Sequence, residues 1–399
     1  MVKPRITVFS KLFWPEGGGG ELATYLIIKM LPEYFDVTII SGTEDPSQDI
    51  LRVCKYIYYS LLRTPFKPFE WFRLFFSFKA FRKIVESSQV VYIPSHTLLP
   101  LAITAKRLNP KVKVIVHLHN YQPISYTSIY MRGSRITPAS QAMIEYLENR
   151  SLVRALLTGL ISPLNFINTL ALYYSDKIIT VSKAQLEILR QHLGDIMKKA
   201  HVIYNPLPQI PNIDKKPSEK PQLAYIGGAS YVKGFRILLN ATPRILRETR
   251  ATLYVISGSR PFRKRELQAL KKIQKKTSKL IIMERLSHQD YLKLHENLWA
   301  LLFPSISEEP LPYAIIESMV MGTLPIASKV GGVPEIVEGT FAEGMLFSPD
   351  NVDEFIRPVE YVLSLNKEQL IDVGLKLREV TIKKFDLESI KAKLVRVFS

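Results

Sequence analysis

Cysteine is nearly absent from this chain, since Cys54 is the one cysteine among 399 residues. A single cysteine cannot close an internal disulfide, so the fold is not one that disulfides hold together. The residues after Met1 also lack the apolar core of a signal peptide and run directly into a strand-like stretch, Ile6–Phe9. We therefore expect a cytoplasmic protein that folds in a reducing setting.

Metal-binding patterns are missing as well. The sequence has no Asp-x-Asp pair and no cluster of histidines and cysteines, so we expect neither a catalytic metal nor a cofactor. Acidic residues are scarce, with 36 against 54 lysines and arginines, for a net charge of +18. This charge favours nucleic acid, an anionic membrane or a phosphorylated substrate as partner. Nucleic acid is the least favoured, because no helix-turn-helix, zinc or RNA-binding motif is present.

The length and composition favour two folded domains. Hydrophobic residues make up 47% of the 399 residues, enough for two cores. Short β-branched runs alternate with longer helical patterns, which is typical of βαβ units. We therefore predict an α/β fold of two Rossmann-like, doubly wound domains that face each other across a cleft. The predicted strands are Arg5–Phe9, Val37–Ile40, Val90–Ile93, Lys113–His117, Lys177–Val181, His201–Tyr204, Gln222–Ile226, Ala251–Ser257, Leu280–Met283, Trp299–Phe303 and Leu324–Ala327.

A polar, proline-bearing stretch, Pro206–Pro221, separates the two series of strands and predicts an interdomain linker. The expected domains are 1–205 and 206–375. A C-terminal helix at 376–399 has no strand of its own and could pack back on the first domain.

Two glycine-containing loops follow predicted strands. Glycines let backbone amides approach an anion closely, and a following helix N-terminus adds partial positive charge. The first loop holds Gly17, Gly18, Gly19 and Gly20. The second holds Gly227 and Gly228, with Lys233 at the start of the next helix, which predicts a diphosphate site. Each pattern by itself is also compatible with a plain turn.

A histidine stands at the end of a predicted strand. His119 and Asn120 follow Val114–Leu118. Ligands of open α/β sheets bind at the carboxyl ends of strands, so His119 is a candidate catalytic residue. A purely structural hydrogen-bonding role fits the same position.

The richest stretch is Phe303–Val337, which contains two spaced glutamates. If a helix begins at Pro312, then Glu309 lies in the loop before it and Glu317 on its second turn. Carboxylates there can accept hydrogen bonds from sugar or ribose hydroxyls while the helix end faces a phosphate. The alternative is a solvated helix face on which the spacing has no function.

This series of motifs resembles the family-4, GT-B class of retaining glycosyltransferases. The family's Ser-x-x-Glu, Glu-Ala-Met and Gly-Gly-x-x-Glu run is similar to Ser305, Glu309, Glu317, Met319, Gly322, Gly331, Gly332 and Glu335. The resemblance extends to Gly17–Gly20, His119, Ser175–Ser182, Val202–Pro206 and Lys233–Gly234.

The resemblance implies a role for each matching residue. Lys233 would neutralise the donor diphosphate, Glu309 would contact the transferred sugar, and Glu317 would hold the nucleotide ribose. His119 would lie beside the anomeric carbon. Gly227, Gly228 and the amides of Tyr313 and Ala314 would complete the donor site. The resemblance also implies that domain 1–205 binds the acceptor, that domain 206–375 binds the nucleotide-sugar donor, and that transfer needs no metal.

Two positions depart from the family pattern. Gly228 stands where the family has an arginine, so a phosphate contact is missing or comes from Arg260, Arg285 or Lys329. Pro312 stands where glycine is common, and proline removes an amide donor.

Two segments of the first half suggest contact with a membrane. Arg52–Lys83 contains eight basic residues, one acidic residue and eleven aromatics, a composition that suits an anionic membrane surface or, alternatively, a core with a solvated face. Ala155–Ser175 has no charged residue and is long enough to span a bilayer. Its glycine, proline, asparagines and hydroxyls favour instead a buried or interfacial helix pair.

The expected function is therefore transfer of a hexose-type sugar from a nucleotide diphosphate sugar to a lipid-linked or glycan acceptor. The expected location is cytoplasmic, peripheral on the inner face of the membrane. Two alternatives stay open: a nucleotide-sugar epimerase of the same fold, and an inactive protein that binds sugar or nucleic acid.

Overall fold

In a computed structural model, the chain is described over residues 3–64, 66–76, 78–211, 215–258 and 261–399. It divides into two units. The first comprises Met1–Pro208 together with Phe385–Ser399, and the second is Gln209–Lys384. The sequence analysis places the corresponding boundaries at 205/206 and 375/376.

The first unit contains a seven-stranded parallel sheet in the order β3-β2-β1-β4-β5-β6-β7. Its strands are β1 Arg5–Ser10, β2 Asp36–Ser41, β3 Lys55–Tyr58, β4 Val90–Ile93, β5 Lys113–Leu118, β6 Lys177–Thr180 and β7 Ala200–Val202. The order reverses between β1 and β4, and a doubly wound sheet binds ligands outside the carboxyl ends of the strands at this reversal.

The second unit repeats the same plan with six parallel strands in the order β10-β9-β8-β11-β12-β13. They are β8 Gln222–Tyr225, β9 Thr252–Ile256, β10 Leu280–Met283, β11 Ala300–Phe303, β12 Leu324–Ser328 and β13 Leu346–Phe347. The reversal lies between β8 and β11. The loops that follow these two strands therefore meet at one edge of the sheet.

Helices cover both sheets. Those between the strands of the first unit are α1 Gly19–Met30, α2 Gln48–Leu51, α3 Lys67–Phe76, α4 Phe78–Ser87, α5 Leu101–Leu108, α6 Pro138–Asn149, α7 Leu152–Ile161, α8 Phe166–Tyr174 and α9 Lys183–Leu193. Those of the second unit are α10 Phe235–Glu248, α11 Lys264–Gln274, α12 His288–Leu294, α13 Tyr313–Val320, α14 Val333–Val337, α15 Val352–Ser364 and α16 Lys367–Lys384, and α17 Leu387–Phe398 follows. Short 3-10 helices are Ser60–Arg63, His96–Leu98, Ser162–Asn165, Gly194–Lys199 and Phe341–Met345.

The fold class predicted from sequence, two Rossmann-like doubly wound α/β domains, is confirmed. Each predicted strand is present, with ends that differ by at most two residues. The additional strands are β3 and β13. The central strands β4 and β12 are wholly buried and β5 is buried except at Lys113, as helices on both faces of a parallel sheet require.

The C-terminal segment is two helices that belong to different units. It breaks after Lys384, and Asp386 caps the new helix by accepting a hydrogen bond from Ser389 N at 2.8 Å. In α17, Phe398 packs edge-on against Tyr92 of β4, with ring centroids 4.9 Å apart. The last helix thus covers the first sheet, while α16 packs in the second unit.

Candidate active site

An ion pair between Lys233 and Glu309 lies at the carboxyl edge of the second sheet. Lys233 Nζ is 2.7 Å from Glu309 Oε1 and 2.8 Å from Oε2. Ser305 Oγ donates a further hydrogen bond to Oε1 at 2.8 Å. The lysine side chain is 38% exposed and the glutamate side chain 11%. The carboxylate is therefore mostly covered, while the ammonium group still meets solvent.

Close backbone approach brings the two residues together. Gly234 has φ +77°, and a Cβ at this position would lie 1.7 Å from the Pro304 carbonyl oxygen. Only glycine permits both features. Ile306 N also donates to the Val232 carbonyl at 2.8 Å. The loop after β8 is thereby fastened to the loop after β11.

The Gly331-Gly332 pair fixes the other side of the β11 loop. Gly331 has φ +48°, and its Cβ would lie 2.1 Å from the Glu309 carbonyl oxygen. Gly332 N donates to that carbonyl at 2.8 Å, and Gly331 N donates to the Glu308 carboxylate. These glycines therefore hold the backbone that carries Glu309.

Steric packing explains the glycine at position 228. Gly228 has φ +57°, and a Cβ there would lie 2.6 Å from the Gly258 amide nitrogen. A Cβ at Gly227 would lie 2.2 Å from the Tyr225 hydroxyl. The arginine that the family has at this position could not be accommodated on this backbone.

The three candidate replacements for that arginine differ in their surroundings. Lys329 is exposed and directly follows β12, beside β11. Arg285 is also exposed and follows β10, at the far end of the sheet. Arg260 lies outside the described residues.

Helix α13 carries the remaining predicted donor-site residues. Pro312 caps the helix, so Tyr313 and Ala314 are its first two residues, one position later than a start at Pro312. Glu317 lies on the second turn and is buried. A first helical turn is where backbone amides have no intrahelical acceptor and can meet an anion.

Glu317 pairs with a residue that the sequence analysis missed. His288 Nε2 and Glu317 Oε1 are 2.7 Å apart. Burial raises the pKa of the Glu317 carboxyl, and the hydrogen bond from His288 opposes that rise. His288 is the first residue of α12, and Ser287 caps that helix by accepting from Asp290 N at 3.1 Å. The sequence around His288 shows only that a helix begins after Ser287. It contains nothing that predicts contact between His288 and Glu317.

His119 and the N-terminal glycine loop meet in the first unit. His119 follows β5, and a Cβ on Gly20 would lie 3.5 Å from the His119 Cβ. Neither ring nitrogen of His119 has a hydrogen-bond partner within the described part of the chain, and burial lowers its pKa to about 4. The imidazole is therefore neutral at pH 7. Its ring lies 4.2 Å, centroid to centroid, from that of His117.

The glycine loop itself forms the start of α1. Gly17 has φ +100°, and Gly18 N, just before the helix, donates to the Glu21 carboxylate at 2.9 Å. Gly19 and Gly20 are the first two helical residues. The loop is thus an ordered helix N-terminus beside His119.

Charged residues that the sequence analysis did not single out lie at the same edge of the first sheet. Lys11 follows β1, and its Nζ donates to Glu70 Oε2 at 3.0 Å. Burial raises the pKa of Glu70 to about 7. His96 follows β4, and burial together with the charges of Lys67 and Lys11 lowers its pKa to about 3. The positions of Lys11 and His96 just after strands were a usable signal.

The described residues contain no group of three or more His, Cys, Asp or Glu side chains placed to hold a metal ion. The expectation that transfer needs no metal and no cofactor stays a prediction. Of the predicted site, the second unit brings Lys233, Glu309 and the glycine loops together. The first unit brings His119 to the N-terminal glycine loop.

Two family profiles match consecutive parts of the chain. Residues 17–208 match the family described as Glycosyltransferase Family 4, and residues 208–376 match Glycosyl transferases group 1. The protein therefore belongs to the family-4 type of glycosyltransferases with the GT-B fold.

Relatives known from curated sequences are distant. An uncharacterized glycosyltransferase of Methanocaldococcus jannaschii is 29% identical over 209 residues, which are 49% of this chain and 53% of that protein. A glycogen synthase of Thermodesulfovibrio yellowstonii is 24% identical over 323 residues, which are 72% of this chain and 62% of that protein. The chain thus spans less than two thirds of either relative.

Solved structures share the fold over almost the whole chain. Sucrose-phosphate synthase of Thermosynechococcus elongatus has a TM-score of 0.71 at 16% identity and covers 99% of this chain and 98% of its own. The Anabaena protein HepE, in complex with UDP-glucose, has a TM-score of 0.70 at 14% identity and covers 98% of each chain. At such identities these likenesses establish the fold alone.

Proposed function

We propose that this protein is a retaining glycosyltransferase that moves a hexose from a nucleoside diphosphate sugar to a glycan or lipid-linked acceptor. The observation that carries the proposal is the Lys233–Glu309 ion pair at the carboxyl edge of the second sheet, next to α13. Lys233 meets solvent there, so an incoming diphosphate can take over its ammonium group. Glu309 is then released to accept hydrogen bonds from the hydroxyls of the transferred sugar.

Each remaining residue has a physical task in this scheme. Lys233 and the first-turn amides of α13 stabilise the charge that develops on the departing nucleoside diphosphate. Glu317, oriented by His288 at 2.7 Å, accepts from the ribose hydroxyls. Neutral His119 offers a ring nitrogen to a sugar hydroxyl without adding positive charge near the anomeric carbon, where positive charge develops in the transition state.

Positive charge from protein groups would replace a metal ion at the diphosphate. We therefore propose metal-independent transfer. Activity that survives a chelator and does not rise when Mg²⁺ or Mn²⁺ is restored supports this point; activity that returns only with metal contradicts it.

A donor screen tests the main proposal. HepE was crystallised with UDP-glucose, which makes UDP-glucose the first donor to try, followed by GDP-glucose and ADP-glucose. Lys233→Ala should abolish transfer, whereas Lys271→Ala, which removes an exposed lysine of α11, should leave it unchanged. Equal transfer by the two variants would contradict the site assignment.

The anomeric configuration of the product, read by NMR against that of the donor, tests retention. Incubation with donor alone tests the epimerase alternative, because an epimerase alters the donor sugar without an acceptor. Salt-sensitive binding to a polynucleotide with no transfer would instead favour the inactive binding protein.

We also propose that the protein works on the inner face of an anionic membrane. Its charge of +18 and the basic, aromatic segment Arg52–Lys83 support this location. The aromatics of that segment are divided: Trp71 is buried, while Phe66, Phe69, Phe72 and Phe76 are exposed. The core and surface interpretations of this segment therefore each hold for part of it.

A further inference from the structure

Helices α7 and α8 present an apolar face to solvent. Together with the 3-10 turn between them they form one apolar helical stretch, Leu152–Tyr174. Six of its large side chains are more than 60% exposed, and we call them the outward face: Leu152, Val153, Leu156, Leu160, Phe166 and Tyr173. A helix that belonged to the core would bury these residues.

The polar side chains of the same stretch point inward. Asn165 and Asn168 are buried, and Asn168 Nδ2 donates to Asn165 Oδ1 at 3.1 Å. Asn165 Oδ1 also accepts from Gln122 Nε2 at 2.7 Å, and its Nδ2 donates to the Gln122 carbonyl at 2.9 Å. Thr169 Oγ1 donates to the Pro123 carbonyl at 2.8 Å. The buried asparagines of this stretch therefore bond to the protein while large apolar side chains meet solvent, although Ala155, Ala171 and Leu172 are also buried and Arg154 is exposed.

These hydrogen bonds favour a helix pair that lies on the membrane surface over one that crosses the bilayer. By length and composition alone, Leu152–Tyr174 is the one stretch among the described residues that could span a bilayer. Its inward polar face, however, is bonded to the loop after β5, so crossing would break those bonds in hydrocarbon. An amphipathic helix pair that lies in the plane of the interface keeps them and buries the outward face.

Hydrogen bonds link helix α3 to the turn before α8. Lys67, at the start of α3, donates from Nζ to Gln122 Oε1 at 2.7 Å, so Gln122 joins α3 to Asn165. Helix α3 also carries three exposed phenylalanines, Phe69, Phe72 and Phe76. Beside them lies an open cavity of about 380 Å³, lined by Ser60, Arg63, Thr64, Phe66, Phe69 and Arg73.

We propose that the outward face of α7 and α8 docks on the acyl and headgroup boundary of an anionic lipid bilayer. The net charge of +18 favours anionic lipid over a second copy of the chain, because anionic headgroups attract positive charge whereas two copies of the chain repel each other. Within the stretch Arg154 is the one charged residue.

This step rests on the proposed function. If the protein is a glycosyltransferase that docks by this face, its acceptor is lipid-linked. Asn165 and Thr169 bond to Gln122 and Pro123, which lie three and four residues after His119. The lipid-facing helices are thereby attached to the loop that carries the candidate catalytic histidine. An acceptor held in the bilayer would reach His119 from this side.

The test is flotation with vesicles of phosphatidylcholine, with and without phosphatidylglycerol. Leu156→Glu/Leu160→Glu should reduce flotation at least about tenfold, since affinity scales with the apolar area inserted. The matched control is Leu375→Glu/Ile382→Glu, which places the same two charges on exposed apolar positions of α16. Unaltered circular dichroism of both variants establishes that they fold.

The outcomes are distinct. Equal flotation by the outward-face variant and the wild type, or no flotation of the wild type, overturns the docking proposal. So does a wild-type dimer in lipid-free light scattering that the outward-face variant converts to a monomer, because a second copy then covers the face. Lys233→Ala should float like the wild type, so loss of donor binding and loss of docking are separable failures.

Discussion

We predict that replacing the two partners of the Lys233–Glu309 ion pair changes nucleotide affinity in opposite directions. Replacing Glu309 with glutamine should strengthen binding of a nucleoside diphosphate, although the residue belongs to the active site. In the wild type the Glu309 carboxylate competes with the diphosphate for the Lys233 ammonium group, and its negative charge repels the diphosphate. Replacing Lys233 with methionine should weaken binding, because the diphosphate then loses its cation. Both variants should lose transfer.

The magnitudes follow from the distances and exposures. The ammonium group contacts both carboxylate oxygens, at 2.7 Å and 2.8 Å, but the Lys233 side chain is 38% exposed, so solvent screens the pair. Its worth lies between that of an exposed pair, about 0.5 kcal/mol, and that of a buried one, about 3 kcal/mol. Relief of this competition should tighten binding by about 1.4 kcal/mol, or about tenfold. Loss of the charged contact to the diphosphate should weaken binding by about 2 kcal/mol.

Folding stability should also depend more on the lysine than on the glutamate. Lys233→Met leaves the covered carboxylate of Glu309 with Ser305 as a neutral partner, and we expect a loss of about 2 kcal/mol. Glu309→Gln leaves a partly solvated ammonium group and should cost less than about 1 kcal/mol. The double variant should lose less than the sum of the single variants, because their effects share one contact.

Calorimetric titration with UDP and GDP measures the binding effect, and urea unfolding measures the stability effect. A transfer assay with the donor chosen by the screen completes the set. If Glu309→Gln weakens nucleotide binding as much as Lys233→Met does, the competition between carboxylate and diphosphate does not exist, and the mechanism built on it fails.

Three further predictions concern other parts of the chain. Burial raises the pKa of Glu70 to about 7 from 4.5, so the folded protein holds a proton there that the unfolded chain releases. The resulting contribution to stability is present below pH 4.5 and is lost as the pH rises through 7. Urea unfolding should show a loss of about 3 kcal/mol over this range in the wild type and none from this residue in Glu70→Gln. Gly234→Ala should cost more than about 3 kcal/mol, whereas Gly339→Ala, at φ +73° with no atom within 4 Å of the new Cβ, should cost about 1 kcal/mol; equal costs would contradict the steric argument. Lys329→Ala should weaken nucleotide binding more than Arg285→Ala does, as titration of both variants will reveal.

Sequence reasoning reached the fold because β-branched strands alternating with helices have few packing solutions. The strands β4 and β10 were predicted to the residue. It missed β13, which has two residues, too few for a pattern, and β3, whose lysine and tyrosines lie in a segment with a helical aromatic spacing. Strand β3 is at the edge of its sheet, where pairing with β2 decides its conformation rather than its own sequence.

Only those parts of the candidate site whose backbone geometry requires a particular residue type could be predicted from the sequence. Gly234 and Gly331 are traceable because a positive φ and a close carbonyl demand glycine. The pairing of Glu317 with His288 is not, because the two lie 29 positions apart and a histidine fits many helix starts. The outward face of α7 and α8 could not be predicted either, because the composition gives the number of leucines but not which side of the helices contacts Gln122.

The prediction for Lys329 follows from the order of the strands. Gly228 cannot carry the family's arginine on this backbone, so any second cation for the diphosphate must come from another loop at the same edge. Parallel strands lie about 4.8 Å apart, and β12 adjoins β11, whereas β10 is separated from β8 by β9. Lys329 also precedes Gly331 by two residues, and Gly331 is bonded to the Glu308 carboxylate, one residue from Glu309. The backbone beside Lys329 is thus bonded to the loop that carries Glu309, whereas Arg285 follows a strand at the far end of the sheet. A larger effect of Arg285→Ala would mean that the diphosphate extends toward β10 instead.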